Sequence, residues 1–596
     1  MSHFDGNPGQ DVGLRRSLFL SVATCHAHMA APDLVLMHPP SVMDFRKRTL
    51  LSGPVSDLIP STPVFEMYPI GFTTIASHLE SNGYEVRIAN VASRMMASPR
   101  FDPDRFARSI DAAVYGIDLH WMPHVQGALE LASMIKKHHP DRPVVFGGFS
   151  SSYYHEELLT GFPQVDFVLR GDSTEAPFEQ LIDAIDRGKP LESVPNLTWR
   201  DGGRVVVNTL SHVPDDLDDI TIDYGLMVRK VLKYRDLTGH LPYADWKSNP
   251  MSIAVGVRGC THNCLNCAGS CDAFARFLNR SRPAYRSPRL LAEDIERAEE
   301  YIKGATFVVG DIRQAGRAYA SEFLKELKER RVDNEVIMEL FAPADKEFAE
   351  EVGSSMSRFS IQMSPETHDE QVRKAQGKSY TNAGLEKSID SFLNAGCGRF
   401  DLFYMIGLPQ QTRESVMGTV EYTRRLYEKY PGARLFPFIS PLAPFIDPGG
   451  NAFEDPQAHG YRLFASSLED HAKLAVMPSW KYVLNYETKW MSRDAITEST
   501  YAAGLGMNSI KRDLGLISKD VGDRVEERIT RASSLMRKID TIVARGAATD
   551  SDLDKLRDEA SQLSECTVCE KEELDWSTSS IYASIPRMVG ALLRRR

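Results

Sequence analysis

Between residues 33 and 190 short apolar runs alternate with amphipathic stretches, and the spacing of apolar positions switches from about 2 to about 3.6 residues. The runs Asp33–Met37, Tyr84–Val91, Ala112–Asp118, Pro143–Phe146 and Asp166–Arg170 predict strands. Phe72, Ile75, Ala76 and Leu79 fall on one helical face, with Gly83 placed to end that helix. Phe178, Leu181, Ile182 and Ile185 repeat the spacing between a capping Ser173 and a terminating Gly188. Strands and helices in this alternation predict a parallel, flavodoxin-like α/β sheet.

A connector over 191–247 follows, in which Asn196–Arg200 and Arg204–Asn208 flank Asp201-Gly202-Gly203, a hairpin signal. The alternation then resumes. Ile253–Val257, Thr306–Val309, Val336–Phe341, Arg358–Met363, Asp401–Ile406 and Arg434–Ile439 predict six strands, with helical patterns such as Ile295–Ile302, Phe323–Leu327 and Leu385–Leu393 between them. After Ile446 the chain reads as mainly helical and aromatic, with Tyr461, Phe464, Trp480, Tyr482, Tyr486, Trp490 and Tyr501 close together. These aromatics build a helical core, and part of the stripe is expected to close over a site and stack a flat ligand. The expected division is a tail (1–32), a first α/β unit (33–190), the connector, a second α/β unit (248–446) and a helical C-terminal unit (447–596).

Composition narrows the function without naming it. The 596 residues are 42% hydrophobic and 25% charged, which excludes a mostly disordered chain. At roughly 150 residues per domain the length suggests three or four domains. The net charge of −11 and the lack of a long basic block argue against nucleic acid, and no run of 18 apolar residues suggests a membrane span. The start, Leu14-Arg15-Arg16-Ser17-Leu18-Phe19-Leu20, has an apolar run too short for an export signal. A cytoplasmic location is therefore expected.

Chemistry is expected where strands end. In a parallel open sheet a ligand sits outside the carboxyl ends. In the first unit those exits carry Pro39-Pro40, Asp118 to Trp121 (including His120), Gly147-Gly148-Phe149-Ser150 and Gly171-Asp172. In the second unit the first strand leads into Cys260-Thr-His-Asn-Cys264-Leu-Asn-Cys267. Three thiolates can hold three irons of a [4Fe–4S] cube and leave the fourth iron open. Structural zinc is the competing reading, with His262 or Cys271 as fourth ligand. Cys566-Thr-Val-Cys569 has no matching second pair and reads as incidental.

Two resemblances follow from these residues. The Cys-x3-Cys-x2-Cys spacing at a strand exit resembles the radical SAM superfamily, which implies a partial (β/α)6 barrel, a [4Fe–4S] cluster on Cys260, Cys264 and Cys267, and S-adenosylmethionine (SAM) chelated by the open iron. Asn266 stands where that superfamily usually has an aromatic residue. The resemblance also implies SAM contacts at Gly310 and Asp311, at Ser364 with Arg373 as a carboxylate partner, and at Gly407. Pro69-Ile70-Gly71, Gly147-Gly148 and Val165 to Asp172 resemble the cobalamin-binding domain that precedes many radical SAM cores, although no Asp-x-His-x-x-Gly is present. That likeness implies cobalamin held by Pro69, Gly71, Asp118, His120, Gly147, Gly148, Ser150, Gly171 and Asp172. It implies the dimethylbenzimidazole base off and no histidine on cobalt, although His120 and His124 lie near.

Together the two units resemble cobalamin-dependent (class B) radical SAM methyltransferases. That family moves a methyl group from SAM through methylcobalamin to a substrate carbon, with an electron donor such as flavodoxin or ferredoxin. The run Pro441 to Gly450, followed by Tyr461 and Trp480, resembles a subgroup with pyrrole and indole C-methyltransferases of antibiotic biosynthesis, which implies a small aromatic substrate. A non-methylating rearrangement or cyclisation remains the alternative. A methylthiotransferase would need an N-terminal cysteine trio, and only Cys25 precedes Cys260. A cobalamin carrier without catalysis would have no use for the cysteine loop.

Overall fold

The structure is a computed structural model that describes residues 31–594 apart from 55–61, 63, 433, 443–444, 546–549, 564–568, 571–572, 574–575 and 577–583. The expected readings at the Arg15-Arg16 segment, Cys25 and Cys566 lie outside the described residues.

The first unit is built on β1 (Leu34–His38), β2 (Val86–Asn90), β3 (Val114–Asp118), β4 (Val144–Gly147), β5 (Phe167–Leu169), β6 (Leu197–Asp201) and β7 (Arg204–Val207), ordered β2-β1-β3-β4-β5-β6-β7. The first five are parallel. Their side chains alternate between two cores, as a sheet covered on both faces requires. Leu34, Leu36, Val86 and Ile88 pack with Phe72 and Leu79 of helix Gly71–Ser81 and with Phe178 and Leu181 of helix Glu175–Arg187. Val35, Met37, Tyr115 and Ile117 pack with Val125, Leu131 and Ile135 of helix Val125–His138. Because β1 lies between β2 and β3, chain direction across the sheet reverses there, opening the ligand crevice at the exits of β1 and β3.

Two local expectations change. The hairpin expected inside the connector exists, but β6 and β7 continue the first sheet antiparallel to β5. Their pairing covers an edge that β5 would otherwise present to solvent. Ser173 does not cap the following helix; its N-cap is Thr174 without a side-chain bond, and Gly188 closes the far end at φ +63°.

The second unit contains β8 (Met251–Val255), the short antiparallel pair β9 (Val257–Arg258) and β10 (Ala284–Tyr285), and then β11 (Ala305–Val309), β12 (Glu335–Leu340), β13 (Phe359–Glu366), β14 (Arg399–Ile406) and β15 (Leu435–Pro441). Six of these form one parallel sheet in the order β15-β14-β13-β12-β11-β8. Strands that neighbour in sequence also neighbour in space, with helices such as Pro288–Tyr301 and Arg317–Arg330 between them, as right-handed β–α units require. The C-terminal unit is mainly helical, and its helix Arg493–Asp513 packs on helix Arg413–Lys429 and on β15. A small antiparallel strand pair, β16 (Tyr461–Leu463) with β17 (Tyr486–Thr488), was not expected from the sequence. Among the described residues no helix is long and apolar enough to cross a membrane.

Buried ion pairs tie the two α/β units together beside their carboxyl edges. Arg258 on β9 binds Glu175 at 2.6 Å, and Thr74 donates to the same carboxylate at 2.6 Å. Arg280 pairs with Asp172 and donates to the Pro214 carbonyl at 2.8 Å. Both arginines flank the cysteine loop, so the loop is held facing the exits of the first sheet.

Candidate active site between two strand edges

At the edge of the first sheet, His38 ends β1 and Asp118 ends β3. His38 Nδ1 meets Asp118 Oδ1 at 2.9 Å, and both side chains are buried. His38 Nε2 and His124 Nε2 both reach the Phe65 carbonyl, at 2.9 and 2.7 Å. A carbonyl only accepts, so each Nε2 carries a proton, and a further proton must lie between His38 Nδ1 and Asp118. Asp118, expected to face a ligand, is thus bonded to His38 through Oδ1, and its Oδ2 is buried without a partner. Ser150 is committed too, its hydroxyl donating to the His120 carbonyl at 3.1 Å. Gly148 sits at φ +111°, and a Cβ there would come within 2.5 Å of the His120 backbone, so glycine lets the exits of β3 and β4 touch. Asp172 is spent on Arg280, which fixes the inter-unit geometry instead of a ligand. Gly171 stands beside it at φ +110°, and a Cβ there would crowd the Asn196 amide at 3.2 Å.

The cysteine loop leaves β9. Cys260, Cys264 and Cys271 are partly accessible and Cys267 is exposed; burial pushes the thiols of Cys260, Cys264 and Cys267 up, that of Cys260 to about 11. Burial is the first cause in each case. Metal binding must then displace protons from these thiols. Among the described residues no three His, Cys, Asp or Glu side chains converge as single-ion ligands would.

Two segments brace the loop from outside. Asn266 donates to Gln376 at 3.2 Å and to the Tyr461 hydroxyl at 3.0 Å, and Tyr461 donates in turn to the Gly407 carbonyl at 3.1 Å. The residue that replaces the expected aromatic therefore links the loop to the C-terminal unit and to the exit of β14. The Ala452 amide donates to the Leu265 carbonyl at 3.0 Å, and Asp447 Oδ2 accepts from the Ala268 amide at 3.4 Å. Burial pushes the Asp447 carboxyl up to about 6.

The exits of β11 to β14 carry the other expected contacts. Gly310 donates its amide to Glu339 at 3.2 Å, and burial pushes the Glu339 carboxyl up to about 7 despite that bond. Asp311 is committed to Arg313 and to the Phe341 amide. The Ser364 carbonyl accepts from Lys378 at 2.6 Å. Arg373 corrects an expectation: it is fully buried, and its guanidinium donates to the carbonyls of Pro365, Thr367 and Tyr380 and to Asn382. With its donors spent on loop backbone, it shapes the turn and is not available to a ligand carboxylate. The cation facing the loop is Lys378, which sequence reasoning missed. Burial alone would lower its ammonium, but Glu366 at 2.6 Å raises it, and Glu366 Oε2 is buried without a hydrogen-bond partner. Gly407 sits at φ +100°, where a Cβ would strike the Tyr486 hydroxyl at 2.7 Å.

Between the two edges lies an apolar hollow of about 330 Å³. The first unit contributes Val42, Leu51 and Phe65, the barrel Met405 and Leu442, and the C-terminal unit Trp480. Leu51 and Trp480 are fixed to each other's segments by backbone bonds of 2.9 Å from Leu51 to Pro478 and from Trp480 to Leu51. The Trp480 indole donates to the Tyr501 hydroxyl at 3.0 Å. Part of the aromatic stripe thus walls the hollow.

Residues 58–181 match the B12 binding domain, and residues 255–423 match the radical SAM superfamily. The chain thus carries a B12-binding domain followed by a radical SAM domain. An uncharacterised methyltransferase of Pyrococcus horikoshii is 23% identical over 430 residues, covering 69% of this chain and 83% of that one. An anaerobic magnesium-protoporphyrin IX monomethyl ester cyclase of Synechocystis is 23% identical over 249 residues, 42% of this chain and 46% of the relative. Two solved structures share the fold. The radical SAM methyltransferase TsrM of Kitasatospora setae, with cobalamin and a [4Fe–4S] cluster, aligns at TM-score 0.53 and 15% identity over 73% of this chain and 78% of its own. The cobalamin-dependent SAM radical enzyme OxsB, with aqua-cobalamin, aligns at 0.54 and 11% identity over 96% and 81%.

A B12-binding radical SAM protein uses cobalamin, a [4Fe–4S] cluster and SAM, and the residues present fit these groups. Cys260, Cys264 and Cys267 lie close enough for their charges to act on one another, and Lys378 and Glu366 act on Cys264. At the first edge an added Cβ on Gly71 would meet nothing within 4 Å, and one on Gly147 only the Leu169 carbonyl at 3.9 Å, which leaves room in front of the exits. Pro69 lies just before the helix that Gly71 opens.

Proposed function

We propose that this chain is a cobalamin-dependent radical SAM C-methyltransferase that methylates a carbon of a small, largely apolar, pyrrole- or indole-like aromatic molecule of secondary metabolism. The observation that carries the substrate class is the apolar hollow between the two strand edges, walled by Trp480, Phe65 and Met405. The names of the Pyrococcus relative and of TsrM support methyl transfer. Cobalamin would supply the methyl group and the cluster one electron to SAM.

The chain's own residues do the positioning. Cys260, Cys264 and Cys267 would hold the cluster. Lys378, neutralised in part by Glu366, would meet the SAM carboxylate, while Gly310, held by Glu339, and Gly407, backed by Tyr461 and Tyr486, would frame the rest of SAM. The ion pairs Arg258–Glu175 and Arg280–Asp172 fix the distance between the edges, which is where geometry controls rate. The aromatic wall keeps water from reactive species. The same proposal places the protein in the cytoplasm, with a flavodoxin or ferredoxin as electron donor. Its domain division is as expected from sequence, except that the hairpin through 207 belongs to the first unit.

The test is anaerobic turnover with SAM carrying a deuterated methyl group, against a panel of pyrroles and indoles. A product bearing the labelled methyl group is expected. An unlabelled, rearranged or cyclised product formed with 5′-deoxyadenosine would reject methyl transfer.

A further inference from the structure

The apolar hollow is defined as much by what its lining lacks as by what it holds. Among the described residues that line it, none is acidic, basic or a histidine, and its polar side chains are Ser41, Ser52, Ser440 and Ser479. Ionisable residues next to the lining in sequence are turned to partners of their own. Asp44, two residues after Val42, pairs with Arg46 at 2.7 Å, and Glu66, after Phe65, accepts from the Thr62 hydroxyl at 2.6 Å. Lys481, after Trp480, pairs with Asp540 at 2.9 Å and also with Asp494. His124, after Pro123, donates to the Phe65 carbonyl, and burial keeps its ring neutral by pushing it down to about 4.

The wall is also rigid. Trp480 is fixed through its backbone to Leu51 and through its indole to Tyr501, and Gly53 lies so close to its ring that a Cβ there would come within 2.9 Å of Cγ. The Leu442 amide donates to the Ile406 carbonyl at 2.7 Å, and the Leu442 carbonyl accepts from the Tyr486 hydroxyl at 3.2 Å. A lining with these bonds already made cannot swing a dipole or a counter-ion towards a guest.

We propose that this hollow selects its aromatic substrate by charge: it takes the ring in a neutral molecule and rejects the same ring bearing a free carboxylate or ammonium group. The proposal rests on the reading of the hollow as the substrate site. A serine hydroxyl can accept from one ring N–H or donate to one carbonyl oxygen, which suffices for an uncharged heterocycle. It cannot replace the hydration of an ion, which would lose water here and gain no partner of opposite sign. Selection comes from what the lining withholds, and a single added charge should alter it.

The test is equilibrium dialysis of the full-length, anaerobically purified protein, without SAM, against indole, indole-2-carboxamide and indole-2-carboxylate at neutral pH. The amide and the carboxylate share a shape and differ in charge. The amide is expected to bind within a few-fold of indole, and the carboxylate at least about a hundredfold more weakly than the amide. Ser52 is half-buried on the lining. Ser52→Arg places a cation there and should narrow that gap by roughly tenfold, whereas Ser52→Gln, long and uncharged, should leave it. A carboxylate that binds the unsubstituted protein as well as the amide does would overturn the proposal. So would a gap that Ser52→Arg leaves unchanged, or one that Ser52→Gln narrows equally, because selection would then lie elsewhere or in shape. Binding of none of the three would overturn both this inference and the reading of the hollow as the substrate site. Charge selection without transfer of a labelled methyl group would reject methyl transfer and leave the inference standing.

Discussion

The two carboxyl edges share a topology and differ in how their polar groups are used. At the first edge His38 and Ser150 bond to neighbours and to backbone, and Asp118 and His124 are each bonded through one atom while Asp118 Oδ2 and His124 Nδ1 are buried without a partner. At the barrel edge the groups are left partly open: accessible thiols, a Glu366 oxygen without a partner, and a Glu339 carboxyl whose burial raises it to about 7. A pre-bonded edge suits a large group that fills space and touches few side chains. An open edge suits a metal cluster and a charged ligand, whose binding completes bonds that the protein leaves unmade.

The sharpest way to break the comparison is to remove the thiols. Replacing any one of Cys260, Cys264 and Cys267 by Ala should abolish cluster assembly and turnover completely, while corrin uptake by the first edge is unchanged. Iron, sulfide and corrin content of purified variants check this. Corrin lost together with iron would show that the edges are one site energetically.

Next in size is the buried Lys378–Glu366 pair. Lys378→Met leaves a buried carboxylate without its cation, which costs about 3–5 kcal/mol, whereas replacing both residues by apolar ones recovers much of that loss. Urea denaturation of Lys378→Met and of Lys378→Met combined with Glu366→Leu separates the two. SAM affinity should fall in both, because the cation is gone from both. Restored SAM binding in the double variant would remove Lys378 from the SAM site.

The comparison extends to a contact behind the apolar hollow, where the His471 ring packs on Phe445, a residue of its lining, at 5.2 Å. His471 is fully buried, donates from Nδ1 to the Ser467 carbonyl at 2.8 Å and accepts from Asn485 at 3.1 Å, so the neutral ring satisfies both bonds. Burial pushes it down to about 4. The unfolded chain then binds the proton more readily, so stability is intact above about pH 6.5, falls as pH drops towards 4, and is flat below. The loss is roughly 3 kcal/mol over that window. Thermal midpoints against pH check this, and His471→Gln should make the profile shallower without levelling it, because burial pushes His124 and His240 down to about 4 as well. An unchanged slope would mean that other groups set the acid limb.

What the sequence made legible follows from the range of the interactions. Strands and helices were readable because their periodicity is local, and the three cysteines because a cluster's ligands lie within one turn of chain. Asp172 was misassigned because its partner Arg280 lies 108 residues away, and nothing around Asp172 announces it. Arg373 was taken for a ligand contact because an arginine after a strand exit can do either job, and only the turn closing on its guanidinium decides. Lys378 was missed because Glu366, at φ +66°, directs its carboxylate across that turn. The hairpin was seen but placed in a linker, since pairing to β5 is a long-range choice.

The smallest expected effect tests the wall shared by the two edges. Tyr501 accepts the indole N–H of Trp480 at 3.0 Å, and both side chains are buried. Tyr501→Phe leaves that donor unpaired at a cost of about 1–2 kcal/mol, with little change in packing volume. The global loss should be detectable as a lowered denaturation midpoint. The functional change should be a KM for the aromatic substrate raised a few-fold with kcat nearly unchanged, because Trp480 shapes the hollow without touching the thiols or the SAM side. Combining Trp480→Phe with Tyr501→Phe removes donor and acceptor together, so the loss of stability should be less than the sum of the two single changes, with a similar change in KM. A fall in kcat with KM unchanged would instead place Trp480 among the groups that act at the reacting atoms, and would mean that the hollow holds more of the chemistry than its apolar lining suggests.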